Sequence, residues 1–286
     1  MKIVVTGYNG QLGYDVVLEG KRLGHEMIGL GRSELDITNQ EKVYSYIKET
    51  RPDAIIHCAA YTAVDAAEDD KESCWDVNVN GTQYLAEAAK IVDAKFIYIS
   101  TDYVYEGTGD SPFKEEDKAN PQGYYGKTKY EGEKRVQDIL EKYFIVRISW
   151  VFGINGNNFI KTMLKLSESR NELNVVGDQF GSPTYTFDLA KLLLDMIATD
   201  KYGIYHASNE GFTNWADFAQ EIFKVAGKDV KVNSISTEEY PTKAARPKNS
   251  KMSKDKLGMS GFNRLPEWQD ALQRYVKEIQ VGEKLK

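Results

Sequence analysis

The first half of the chain alternates short apolar runs with stretches whose apolar residues return every three or four positions. Lys2–Thr6 (KIVVT) is rich in β-branched residues and predicts a strand. A glycine-rich turn follows, then a helical series through Leu12, Val16, Val17 and Leu23. Residues 27–30 predict a second strand, residues 40–49 a helix with Val43, Tyr46 and Ile47 on one face, and residues 53–59 a third strand. A long helix over 74–92, a fourth strand over 95–100, a helix over 123–142 and a fifth strand over 144–151 complete the series. The strands are nearly continuous in apolar residues, the pattern of a parallel sheet covered on both faces. The fold class predicted is α/β with a doubly wound parallel sheet.

The rhythm changes after Phe152. Residues 153–158 (GINGNN) and 177–184 (GDQFGSPT) read as loops, with a helix over 159–169 and a short strand over 173–176 between them. Residues 187–198 form a strongly apolar helix. Thr213 is a candidate cap for a helix whose face is Trp215, Phe218, Ala219, Ile222, Phe223 and Ala226, a face that reads as core. Residues 237–253 are loop-rich, residues 265–279 predict a last helix, and 281–286 are expected to fray. The second half is thus a smaller, less regular lobe. The expected division is 1–152, with a returning segment near 185–208, against 153–184 and 209–286.

Charge narrows the functions open to such a chain. With 37 Lys+Arg against 43 Asp+Glu and a net charge of −6 over 286 residues, it lacks the broad basic surface of a general nucleic-acid binder. No apolar run approaches a membrane span, and MKIVVTGYNGQLG does not read as a signal peptide, so the expected location is the cytoplasm. Cys58 and Cys74 have no metal-binding spacing and read as free thiols; His25, His57 and His206 are scattered and read as core residues, and no metal site is predicted.

The first glycine cluster carries the chemistry. Gly7, Gly10 and Gly13 in Gly7-Tyr8-Asn9-Gly10-Gln11-Leu12-Gly13 follow a strand and open a helix. A loop there turns tightly, lets the backbone approach a pyrophosphate and aims a helix N-terminus at its charge. That favours a Rossmann-type dinucleotide site over a ligand-free turn. At the end of the second strand, Leu30-Gly31-Arg32-Ser33 has no acid at the expected place for a ribose 2′-hydroxyl. Arg32 with Ser33 suits a 2′-phosphate, which leans the choice between NADPH and NADH toward NADPH; the alternative is a solvated arginine. Asp36 and Ile37 are placed to flank an adenine.

Tyr125 and Lys129 stand at i, i+4 and share a helix face. A neighbouring ammonium lowers a phenol's pKa and readies it to protonate a developing alkoxide. Taken alone the pair is common in a chain with 18 tyrosines. Its position gives it weight, because it follows the fourth strand, whose end carries Ser100-Thr101-Asp102-Tyr103, and ligands sit at the carboxyl ends of parallel strands. Gly126-Lys127-Thr128 is not a P-loop, since Pro121 replaces the required glycine.

Together, the glycine loop, the hydroxyl at the fourth strand and Tyr125-x-x-x-Lys129 resemble the extended short-chain dehydrogenase/reductases. Residues 58–65 (CAAYTAVD), 100–105 (STDYVY), 147–153 (RISWVFG), 178–184 (DQFGSPT) and 246–250 (RPKNS) narrow the resemblance to the dTDP-4-dehydrorhamnose reductases. The resemblance implies reduction of the C4 keto group of dTDP-4-dehydro-L-rhamnose by NAD(P)H, in the making of rhamnose for polysaccharide. It implies Tyr125 as proton donor, Lys129 as its assistant and holder of the nicotinamide ribose, and Thr101 on the reacting oxygen with Asp102 beside it. It places Trp150 against the sugar and Arg246 on a phosphate of the substrate. Gln11, Leu12 and the loop glycines would hold the pyrophosphate, and Ala59, Ala60, Tyr61 and Thr62 would line the cofactor path.

Tyr61 stands where the family often has histidine. Some members form a magnesium-linked dimer; Asp15 lies where one of its acids would be, and a homodimer is in keeping with the family. Two alternatives stay open: another nucleotide-sugar epimerase or dehydratase of the superfamily, or a non-catalytic regulatory subunit on the same fold.

Overall fold

The computed structural model describes residues 1–284. Its centre is an all-parallel sheet of β1 (Lys2–Thr6), β2 (Glu26–Leu30), β3 (Ala54–His57), β4 (Lys95–Thr101), β5 (Tyr143–Ile148) and β6 (Gly203–His206). The strands lie in the order β2-β1-β3-β4-β5-β6, so the winding reverses between β1 and β3. Such a reversal opens a crevice at the strands' carboxyl ends. The helices are α1 (Gln11–Arg22), α2 (Gln40–Thr50), α3, α4 (Tyr124–Ile139) and α5 (Thr186–Ile197). Lys71–Trp75, a π-helical stretch Asp76–Asn80 and Gly81–Val92 run on as the single helix α3.

Alternate residues of each strand point to opposite faces, and both faces are dry. Ile3, Val5, Ile56, Ile97 and Val146 meet Val16 and Val17 of α1 and Leu189, Leu193 and Met196 of α5. Val4, Ile55, Phe96, Tyr98 and Ile145 meet Val43 and Ile47 of α2, Leu85 and Ala89 of α3, and Val136 of α4. A separate core made of Phe152, Ile160, Leu173, Phe218, Ile222, Leu272 and Tyr275 holds the second lobe. There Val151–Phe152 pairs with Thr184–Tyr185, and Glu172–Val176 pairs with Lys231–Ile235.

Several boundaries differ from the sequence reading, each for a local reason. Leu23 caps α1 and is exposed rather than packed. Helix α4 stops at Ile139, because Leu140 takes an extended backbone and buries its side chain. Strand β5 stops at Ile148, and Trp150 turns the chain with a φ of +48° before Val151 pairs elsewhere. Asn214, not Thr213, caps helix Trp215–Ala226, accepting from the Asp217 N–H at 2.8 Å. Strand Lys231–Ile235 was not anticipated, since its alternation of apolar and polar residues is weak. Leu265–Glu267 is a strand, and the last helix is Trp268–Lys284. It therefore covers residues 281–284, which were expected to fray; Leu285 and Lys286 lie outside the described residues. Among the described residues no helix is long and apolar enough to cross a membrane.

Candidate active site

A cleft of about 1800 Å³ runs along the carboxyl ends of β1, β3, β4 and β5, between the sheet and the second lobe. The glycine loop forms one end. Gly7 has a φ of +70°, and a Cβ there would stand 2.6 Å from the Ala59 nitrogen; a Cβ on Gly13 would stand 2.4 Å from the Gly7 oxygen. Only glycine permits this close nesting. Gly10 is the N-cap of α1, and no side chain caps that helix end, which leaves its first N–H groups to an anion. A dinucleotide pyrophosphate fits that cradle. Gln11 reaches across to the second lobe, where its Oε1 accepts from the Gly153 N–H (2.9 Å) and from Asn158 Nδ2 (3.1 Å). Asn155 Nδ2 in turn donates to the Asn9 carbonyl at 2.9 Å.

At the end of β2, Arg32 lines the cleft with an 88% exposed side chain, 3.9 Å from Asp36. Ser33 does not line it. Its hydroxyl donates to Glu34, whose other oxygen accepts the Gly31 N–H, each at 2.8 Å. The pairing of Arg32 with Ser33 expected from sequence is thus reduced to Arg32 alone, because Glu34 folds back and engages the serine. Asp36 is fixed by the Thr38 N–H and hydroxyl, and it lines the cleft together with Ile37, Ala59, Ala60, Tyr61 and Thr62. The backbone of Tyr61 is clamped by Asn78, which accepts from its N–H (2.9 Å) and donates to its carbonyl (3.2 Å). Asn78 is buried in the π-helical stretch of α3, a site the sequence reading missed.

The polar centre lies midway. Thr101 ends β4, and its hydroxyl donates to Asp102 Oδ1 at 3.0 Å. Burial and the Asp102 charge push the pKa of the Tyr125 phenol above the ordinary value, and the nearby Thr101 hydroxyl opposes them. Lys129, one helical turn on, is 3% exposed, with its Nζ 4.1 Å over the Tyr98 ring. Burial lowers its pKa to about 7, while the charge of Glu133 works the other way. With burial and Asp102 dominant, the phenol is neutral, the form that donates a proton.

Asp102 is itself buried, which raises its carboxyl to about 6, with the nearby Ser250 hydroxyl and the hydrogen bond from Thr101 opposing the shift. Its Oδ2 and the Nη1 of Arg246 are buried atoms without a hydrogen-bond partner. Arg246 is held by Asp65, which accepts from Nη2 at 2.6 Å. Trp150 stacks on Trp215 with centroids 3.7 Å apart and 16° between planes, and a Cβ on Gly181 would come within 2.8 Å of the Trp150 ring.

Apart from Ser33, every residue singled out from sequence as a site candidate lines this one cleft. The reading missed Asp65, Ser250, Tyr103 and Trp215, which line it too. Trp215 was read as core by its spacing, and periodicity cannot separate a core face from a cleft wall. His57 and His206 are buried at 1% and 0% exposure, and burial lowers each to about 3, so both are neutral.

A family model described as the RmlD substrate binding domain matches residues 1–281. The dTDP-4-dehydrorhamnose reductase of Aggregatibacter actinomycetemcomitans is 42% identical over 286 residues, covering 95% of this chain and 97% of that one. The chain belongs to the dTDP-4-dehydrorhamnose reductase family. A crystal structure of the family from Clostridium acetobutylicum superposes with a TM-score of 0.96 at 43% identity, covering 98% of this chain and all of the other. One from Bacillus anthracis, in complex with NADP, gives a TM-score of 0.95 at 43% identity, covering 97% and 100%. The doubly wound sheet is therefore the Rossmann-type core of this family, with the cleft at its switch point.

Proposed function

We propose that the protein is an NAD(P)H-dependent oxidoreductase that reduces the C4 keto group of dTDP-4-dehydro-L-rhamnose to give dTDP-L-rhamnose. The observation that carries this reading is the cluster of Thr101, Asp102, Tyr125 and Lys129 in one cleft with the glycine cradle. Membership of the family adds the reaction class and the sugar nucleotide.

In this reading residues 1–152 with 185–208 hold the dinucleotide, and 153–184 with 209–286 hold the sugar nucleotide. The α1 N-terminus and the glycine loop receive the pyrophosphate, Arg32 lies beside the adenosine ribose, and Asp36 and Ile37 flank the adenine. NADPH is favoured over NADH on the strength of Arg32. When bound, a reduced nicotinamide supplies the hydride to the sugar's C4. Thr101 and Tyr125 hold the carbonyl oxygen between two hydroxyls. As negative charge develops on that oxygen, Tyr125 transfers its proton to it, help typically worth about 10²–10⁴-fold in rate. Lys129 stabilises the phenolate left behind and holds the nicotinamide ribose. Asp102 Oδ2 accepts from a sugar hydroxyl, Trp150 covers the ring, and Arg246 Nη1 donates to a phosphate of the nucleotide.

The test is loss of reduced-nicotinamide absorbance with dTDP-4-dehydro-L-rhamnose, with NADPH and NADH in parallel. Stoichiometric oxidation that depends on the sugar supports the reading. Turnover of a sugar nucleotide without net oxidation indicates an epimerase or dehydratase, and cofactor binding without turnover indicates a regulatory subunit.

A further inference from the structure

Helix α4 carries one buried charged residue that the proposed chemistry does not use. Glu133 follows Lys129 by one turn, on the same face of the helix, and is 0% exposed. Its Oε1 accepts from Ser100 at 2.5 Å and from Arg147 Nε at 2.9 Å, and its Oε2 accepts from Arg147 Nη2 at 2.6 Å. Arg147 comes from near the carboxyl end of the core strand β5 and is 3% exposed. A buried ion pair of this kind stabilises poorly compared with apolar residues of the same volume, so stability alone is a weak account of it.

The pair also reaches outward. Arg147 Nη1 donates to the Tyr105 hydroxyl at 2.6 Å, and Tyr105 lies 2.7 Å from His206 Nε2. His206 Nδ1 is 3.0 Å from the Ser253 carbonyl, which can only accept. The neutral imidazole therefore carries its proton on Nδ1, and the single Tyr105 proton is shared between Nε2 and the Lys114 carbonyl, which lies 2.9 Å from the hydroxyl. The network thus begins under the catalytic helix and ends at the segment that brings Ser250 to Asp102.

Lys129 is the group it serves. The titratable groups around the ammonium are Glu133 and Tyr125 on its own helix, His57 and Cys58 at the end of β3, Cys74 of α3 and Tyr98 of β4. Burial pushes both thiols above their ordinary values, keeps the phenols neutral and leaves the histidine uncharged. Glu133 is the carboxylate among them, and an ammonium in so dry a place keeps its proton only against a nearby negative charge.

We propose that Glu133 is a positioning residue for the reduction: the fixed counter-charge that holds Lys129 as an ammonium beneath the nicotinamide ribose, with Arg147 setting how much of that charge Lys129 feels. The inference rests on the role given to Lys129 under the proposed function. Losing the carboxylate moves the deprotonation of Lys129 to lower pH, and activity then fades earlier as pH rises.

The experiment compares pH profiles of kcat for NADPH oxidation with the dTDP-keto-sugar in the wild type, Glu133→Gln, the double variant Glu133→Gln with Arg147→Met, Glu133→Asp and Lys129→Met. The double variant removes both buried charges together and so avoids leaving Arg147 unpaired. Glu133→Asp keeps the charge should the neutral variants fold poorly. The expected result is an upper limb displaced downward by about one pH unit, or about tenfold in activity on that limb, in Glu133→Gln and still displaced in the double variant. Glu133→Asp should lie between these and the wild type. A wild-type limb in the double variant, or an unmoved limb in Glu133→Asp alongside uniformly lowered kcat, overturns the inference and leaves Glu133 as a partner of Arg147 alone. Undiminished activity in Lys129→Met would instead overturn the role of Lys129 itself, a failure of the parent reading that this set separates from failure of the new one.

Discussion

Replacing Asp102 by Asn should make the protein more stable and less active at once. The carboxyl is 5% exposed, one of its oxygens has no partner, and its pKa stands at about 6 against an ordinary 3.8. An acid with a raised folded-state pKa binds its proton more tightly when folded than when unfolded, so stability falls as pH rises from 3.8 through about 6. By about pH 8 the folded state carries the whole penalty, about 3 kcal/mol at most by the conversion of 1.36 kcal/mol per pKa unit. Asn keeps an oxygen to accept from Thr101 and removes the ionisation. Some of that gain is lost to an amide whose own hydrogens need partners, so a net of about 1–3 kcal/mol is expected. Urea unfolding of both proteins at about pH 4 and about pH 8 measures it: the gain should be near zero at the acid end and full at the alkaline end. The same variant should lose turnover, since the unpartnered Oδ2 is the atom assigned to a sugar hydroxyl. A variant no more stable than the wild type at about pH 8, or one stabilised equally at both pH values, would falsify the claim that Asp102 is held ionised at the expense of the fold.

Tyr125→Phe should lower kcat by about 10²–10⁴-fold while NADPH binding, followed by fluorescence titration, is nearly unchanged; retention of more than about a tenth of the rate would remove the phenol from proton transfer. Arg32→Ala should raise the KM for NADPH more than that for NADH, and equal changes would show that the exposed guanidinium reads no 2′-phosphate. Gly181→Ala places a methyl group 2.8 Å from the Trp150 ring. It should raise the KM for the sugar nucleotide and perturb the near-ultraviolet circular dichroism of the Trp150–Trp215 stack; an unchanged spectrum would show that the ring has room to move.

The central sheet was legible in sequence because each strand is a run of apolar residues with helical periods between them. KIVVT and AIIH offer no other economical use of their side chains than burial on two faces. The site was legible where backbone chemistry demands a residue type, as at Gly7 and Gly13, and where a hydroxyl and a Tyr–Lys pair fall at strand ends. Contacts made across long sequence separations were not. The Glu133–Arg147 pair is invisible in a strand that reads simply as apolar, and Asn78 looks like any helix polar residue until it closes on the Tyr61 backbone. Glu34 reads as a surface acid, yet its fold back onto Gly31 is what takes Ser33 out of the cleft. Lys231–Ile235 became a strand only because Glu172–Val176 lies beside it.

The last strand of the sheet has a consequence for how the protein is made. Strand β6 covers the edge of β5, and α5 covers the face that holds Ile3, Val5 and Val146, yet both are encoded after the first stretch of the second lobe. A ribosome must add residues 149–202 between β5 and β6, about 3–11 s at ~5–20 residues per second. Throughout that interval the nascent sheet presents an unpaired β5 edge and an uncovered apolar face, the kind of surface that strands of other chains pair with. The sheet half is therefore not a unit that closes first and waits. Completion of the sheet is tied to emergence of the first stretch of the second lobe, so the window open to chaperones, and to misassembly, ends only when α5 and β6 have followed that stretch.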